Sequence, residues 1–261
     1  MAVLTRPWGA MHYDDQGPKD GAAVVFANSL GTDFRMWQAV LPLLPEGLRL
    51  IRFDKRGHGL SDLGGAPSIA DLAQDAESLI TTLGLGPVIF VGLSVGGLIG
   101  QSLAARRPDL LRALVLSNTA ARIGTPQLWQ DRVDMITKDG LAGIADGMMQ
   151  RWFGPRFRES PEVAPWRNML ARSDVAGYLA ICRAIGAADL TATTTQISHP
   201  TLVIAGSEDG STPPDLVHAT AQMISGAQFA LIEGVGHLPP VEAPTTFAAH
   251  LCTFLKGLPD D

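Results

Sequence analysis

Short apolar runs alternate with stretches of helical periodicity along most of the chain, the pattern of a mainly parallel sheet covered by helices. The runs at 22–28 (AAVVFAN), 48–53 (LRLIRF), 87–92 (PVIFVG), 112–118 (RALVLSN), 200–206 (PTLVIAG) and 227–234 (AQFALIEG) predict strands. Weaker strands at 2–6 and 10–15, closed by the turn-rich DDQGPKDG, predict an antiparallel hairpin added to the sheet edge. Helices are expected at 68–84, 96–107, 214–224 and 243–257. In the first, Ile69, Leu72, Ala73, Ala76, Leu79, Ile80 and Leu83 recur at helical spacing, with Ser68 as a cap and Gly84 as a stop.

The alternation fails between about 120 and 195, where helical segments follow one another with breaks at RIGTP, FGPRFRESPEVAP and ATTTQISHP. This stretch reads as an insertion, a helical cap over 120–195 set into a core made of 1–119 and 196–261. It holds Trp129, Trp152 and Trp166, three of the five tryptophans, together with eight arginines, a concentration unusual for a merely structural excursion.

Composition narrows the function. At 261 residues and 46% hydrophobic content the chain can bury one large core. A net charge of −6 argues against nucleic acid and anionic membranes as partners, so an anionic small substrate would need cations placed locally. Cys182 and Cys252 are too few and too far apart for a disulfide framework or a zinc motif, and buried thiols are expected. The N-terminus lacks an apolar core of signal-peptide length and no run reaches the ~20 apolar residues of a membrane span, so a cytoplasmic protein is expected.

The chemistry centres on GLSVGG at 92–97. A strand ending at Gly92 and a helix starting near Gly96 leave room only for a sharp turn. Small neighbours tolerate it, so the Ser94 hydroxyl is thrust out at the carboxyl end of the sheet, beside the N–H groups of a helix N-terminus. A serine nucleophile needs a base, and the base an orienting carboxylate. VIAGSEDGSTPP sets Asp209 after one strand and LIEGVGHLPPVEAP sets His237 after the next, so both loops open at the same sheet edge as Ser94. The order Ser94, Asp209, His237 is that expected of a nucleophile elbow with its triad, with Glu208 a rival for the acid. His12, His199, His218 and His250 read as solvated or packed, and neither a metal site nor a cofactor is expected.

NSLGTDFRMW, FDKRGHGLSD, GLSVGG, GSEDGSTPP and GVGHLPPVEAP, spread over nearly the whole chain, resemble the α/β-hydrolase superfamily. The resemblance implies an α/β-hydrolase fold: an eight-stranded, mostly parallel sheet flanked by helices, with the cap inserted after the sixth strand. It also implies an oxyanion hole formed by the backbone N–H groups of Leu30 and Val95. Asn28-Ser29 stands where members usually have His-Gly, which leaves open how that loop is braced. Arg56, Gly57, His58 and Gly59 match a recurring structural turn. Asn118 stands where some members carry the acid, and an amide cannot serve.

Within the superfamily, FANSLGTDFRMWQAVLPLL, GLSVGGLIGQSLAARRPDLLRALVLSNTAARIGTPQLWQDR and RWF resemble the 3-oxoadipate enol-lactonases, implying a small anionic lactone as substrate. Rival readings are a perhydrolase, an esterase or a carbon–carbon bond hydrolase of the same fold, or a small-molecule receptor or signalling protein that retains the triad. A substrate carboxylate would need a cation in the cap. Trp129 and Arg132 share a helical face, which suggests Trp129 and Trp152 as walls and Arg132 as the carboxylate's partner, with Arg122 or Arg151 next in line.

Overall fold

A computed structural model describes residues 2–259. Eight strands form one sheet: β1 (Ala2–Arg6), β2 (Gly9–Gln16), β3 (Ala23–Ala27), β4 (Arg49–Phe53), β5 (Val88–Leu93), β6 (Leu111–Ser117), β7 (Thr201–Gly206) and β8 (Gln228–Ile232). Their order across the sheet is β1-β2-β4-β3-β5-β6-β7-β8. The β1–β2 and β2–β4 pairs are antiparallel and the others parallel, so the N-terminal hairpin forms one edge. Strands β3, β5 and β7 are buried at every residue, as parallel strands covered on both faces must be.

The helices are α1 (Ile69–Thr82), α2 (Val95–Arg106), α3 (Pro126–Trp152), α4 (Pro155–Arg158), α5 (Val163–Ala171), α6 (Val175–Ala187), α7 (Thr191–Thr194), α8 (Pro214–Met223), α9 (Pro239–Glu242) and α10 (Pro244–Lys256). Ser68 caps α1 through a capping box with Asp71, and the apolar face of that helix packs on α2. Phe26 of β3, Trp37 and Phe247 of α10 stack in series, at ring separations of 5.1 and 5.9 Å, and tie α10 to the sheet.

Between β6 and β7 the chain forms only helices, α3 to α7. The longest, α3, is broken at Gly140 (φ 68°, ψ 173°), a break that the sequence pattern did not mark. Strand β5 runs one residue beyond the expected end, because Leu93 still pairs with Ser117, and α2 begins one residue early at Val95. The turn between them is therefore Ser94 alone. Cys182 is buried, whereas Cys252, expected buried, is only half-buried at the edge of the core; both are free thiols.

Candidate active site

The one-residue turn has a steric origin. A Cβ on Gly92 would run into the Gly96 carbonyl, and one on Gly96 into the Ala27 carbonyl, so only glycine lets β5, α2 and β3 approach this closely. Ser94 is left at φ 57° and ψ −118°, a strained backbone for a residue with a side chain. Its N–H donates to Ser117 O (3.0 Å), and its carbonyl accepts Thr119 Oγ1 (2.7 Å) and Gly97 N (2.8 Å). The hydroxyl makes no capping bond to the helix it precedes. It faces the cavity, with Val95 opening the helix N-terminus behind it.

The loops after β7 and β8 bring Asp209 and His237 together. His237 Nδ1–H donates to Asp209 Oδ2 at 2.8 Å, and both side chains are buried. Asp209 Oδ2 also accepts Thr212 Oγ1 (2.6 Å) and Asn118 Nδ2 (2.9 Å), while Oδ1 accepts the N–H groups of Ser211 (2.7 Å) and Thr212 (3.0 Å). Burial opposes the charge on Asp209, yet the histidine ring and these donors outweigh it and hold the carboxyl below its usual range. Glu208, one residue earlier, is exposed. The His237 N–H donates to Trp152 O (2.6 Å), which fastens the histidine loop to the end of α3. The far ring nitrogen, Nε2, lies 3.4 Å from Ser29 Oγ.

The loop after β3 is braced by side chains where the family's usual His-Gly is missing. Asn28 Nδ2 donates to Thr32 O (2.6 Å), Thr32 Oγ1 to Ser29 O (3.0 Å), and Gly31 N to His58 Nε2 (3.0 Å). His58 Nδ1–H in turn donates to Arg56 O (3.1 Å), and burial, followed by the charge of Lys55, pushes the His58 ring well below its usual pKa. His58 is thus a neutral brace for this loop.

Ser29, Leu30, Ser94 and His237 line a narrow cavity of ≈ 50 Å³ whose other wall is the cap: Trp129, Arg132, Met148, Arg151, Trp152 and Tyr178. The Arg132 guanidinium stacks on Trp129, 4.9 Å from the ring centroid, and Trp129 Nε1–H donates to Ile123 O (2.6 Å). Among the described residues, the buried Arg151 Nε has no hydrogen-bond partner.

An alpha/beta hydrolase fold family model matches residues 22–244. This chain belongs to the α/β-hydrolase family. It is 35% identical over 256 residues to 3-oxoadipate enol-lactonase 2 of Acinetobacter baylyi, covering 94% of this chain and 92% of that protein. It is 32% identical over 260 residues to 3-oxoadipate enol-lactonase 1 of the same organism. The crystal structure of the enol-lactonase from Burkholderia xenovorans superposes with a TM-score of 0.93 at 35% identity, over 98% of this chain and all of that one.

In this α/β hydrolase the cap residues named from sequence divide. Trp129, Arg132 and Trp152 reach the cavity, as does Arg151, whereas Arg122 is exposed and pairs with Asp189 at 3.5 Å. Trp166 lies outside, in a surface groove of ≈ 810 Å³ that also takes in Arg35, His58 and Arg172 but neither Ser94 nor His237. Sequence reading missed Thr212, Ser29 and the contact of Asn118 with Asp209. Asn118 did leave a sign, a polar residue directly after a central strand, and its positive φ of 47° aims the amide at the acid. Among the described residues, no cluster of metal-ligating side chains and no helix long and apolar enough to cross a membrane is found.

Proposed function

We propose that this hydrolase opens the ring of a small anionic lactone, 3-oxoadipate enol lactone, with water to give 3-oxoadipate. The observation that carries the reading is one narrow cavity shared by the unengaged Ser94 hydroxyl, the Asp209-backed His237 ring and two arginines. The end-to-end likeness to enol-lactonases, cap included, supports the substrate class.

Ser94 Oγ attacks the ring carbonyl and its proton passes to His237 Nε2, while Asp209 holds Nδ1 and stabilises the charged ring. The N–H groups of Leu30 and Val95 receive the oxyanion, a contribution of roughly 3–4 kcal/mol per donor in a known case. The ring C–O bond then breaks. Its leaving group is an enolate, so acid assistance from His237 in the cleavage itself matters less than with an alkoxide. The enolate then takes the proton held on Nε2, directly or through water, becomes a ketone and leaves the imidazole neutral. A water deprotonated by His237 attacks the acyl group, and the proton returns to Ser94. Arg132 pairs with the substrate carboxylate between Trp129 and Trp152. Nε2 lies 3.4 Å from Ser29 Oγ, and catalytic hydrogen bonds commonly form or tighten only when substrate is present.

The test is a rate comparison of 3-oxoadipate enol lactone with aryl esters and with peracid formation. The reading expects multiple turnovers and a clear preference for the enol lactone. A preference for esters or peracid formation would move the protein to the esterase or perhydrolase branch, and binding without turnover would make it a receptor.

A further inference from the structure

A buried cation beneath the loop after β3 has no part in the chemistry above. Lys55 is 3% exposed, and its Nζ donates to Ser29 O at 2.6 Å, with Thr32 O at 3.4 Å. Among the described residues it makes no ion pair. The two acids that act on it are committed elsewhere: Asp54 to His12 Nδ1 and the N–H groups of Phe34 and Leu60, Asp33 to Arg35. An ammonium held only by carbonyls is expensive to bury, and an unbranched apolar side chain could fill the same space without that cost.

The acceptor explains the expense. Ser29 O belongs to the Ser29–Leu30 peptide, whose other end is the Leu30 N–H. In a trans peptide the two groups point in opposite directions. Lys55 therefore sits on the carbonyl end, and Leu30, at the other end, lines the cavity. Thr32 adds its hydroxyl at 3.0 Å and its N–H at 3.4 Å to the same oxygen. A positive charge on a peptide oxygen withdraws electron density from the nitrogen and makes its N–H a stronger donor, the cooperative effect of chained hydrogen bonds in a low dielectric.

We propose that Lys55 is a positioning residue of the oxyanion site: its ammonium, held on the Ser29 carbonyl, polarises the Ser29–Leu30 peptide so that the Leu30 N–H binds developing negative charge more strongly. This rests on the oxyanion site assigned above. The titratable groups that face Lys55 are Asp54 after β4, Asp33 in the loop after β3 and the neutral His58 in the turn beyond, with His12 of β2 behind Asp54. Burial pulls Lys55 down to about 7 against the pull of Asp54 and Asp33. The cation is thus present on the acid side, and the polarisation fades as pH rises through that value.

The test compares Lys55→Met and Lys55→Gln with the wild type, using an alkylboronic acid that forms a tetrahedral adduct on Ser94 and the ring-opened product as a ground-state ligand. In Lys55→Met, kcat/KM and boronate affinity should fall together by about tenfold, less than the roughly 10²–10³-fold cost of deleting an oxyanion donor outright. Product affinity should hold. Lys55→Gln, which can still donate to the carbonyl but carries no charge, should recover little. Unchanged kcat/KM in Lys55→Met, equal losses of boronate and product affinity, or full rescue by glutamine would each overturn the proposal. Should neither variant fold, lysine ¹³C NMR on the unaltered protein follows the Lys55 proton, and the ratio of boronate to product affinity must fall as that proton leaves; a flat ratio overturns it. Ser94→Ala separates the two levels. Turnover surviving in Ser94→Ala defeats the reading of the site, whereas turnover lost there with silent Lys55 variants defeats only the role of Lys55.

Discussion

Asp209 gathers donors from three separate segments: Asn118 after β6, Ser211 and Thr212 in its own loop, and His237 after β8. A charged carboxylate is what all of them fit. Asp209→Asn keeps the shape but presents an amide to the imidazole, which selects the wrong tautomer, so turnover should drop by about 10⁴-fold with the fold intact. Steady-state kinetics beside Glu208→Gln checks this, since the exposed Glu208 should tolerate the change. Ser94, Asp209 and His237 were legible because each follows a strand in a motif with its own spacing. Thr212, Lys55 and the contact of Asn118 with Asp209 were not. Their parts depend on which loops meet at the sheet edge, and nothing local in the sequence encodes that meeting.

At the scale of elements, the alternation of strands and helices was readable because buried parallel strands are short apolar runs with turn residues between them. The break in α3 was hidden, since one glycine inside a helical pattern carries little signal. Gly140 sits at φ 68° and ψ 173°, and nothing lies within 4 Å of where a Cβ would stand. Gly140→Ala therefore meets backbone strain alone and should destabilise the protein by roughly 1–3 kcal/mol in urea unfolding. Glu242 joins the cap to the histidine loop, accepting Gly154 N at 2.8 Å and Gly236 N at 2.7 Å. Burial pushes its carboxyl up to about 7. The folded state then holds a proton that the unfolded chain has released, so this group's stabilising contribution falls as pH rises from about 4.5 to 7 and levels off beyond. Glu242→Gln should flatten that part of the profile of Tm against pH; an unchanged profile would place the titration elsewhere.

For the molecule as a whole, a chain of net charge −6 sets Arg132 and Arg151 on one narrow cavity, as the proposed anionic substrate would require. Burial, then the neighbouring Arg132 charge, draws Arg151 down, against the opposing pull of Asp209. Arg132→Ala should weaken binding of the anionic lactone by roughly 1.5–3 kcal/mol and leave an uncharged lactone of similar size nearly unaffected. Equal losses on both would mean that Arg132 only packs the cap. The cavity of ≈ 50 Å³ is smaller than the ~300 Å³ at which ligand sites usually begin, and its cap wall also faces an outer groove. Leu128, Arg132, Met148 and Arg151 form that wall, because they also line an outer groove of ≈ 670 Å³. The most direct measurement of the central claim is the rate of ring opening of 3-oxoadipate enol lactone by the wild type, Ser94→Ala and Ser29→Ala, side by side. The account predicts rapid turnover by the wild type, a loss of about 10⁶-fold in Ser94→Ala, and substantial activity in Ser29→Ala. Undiminished ring opening in Ser94→Ala, or its collapse in Ser29→Ala alone, would contradict it.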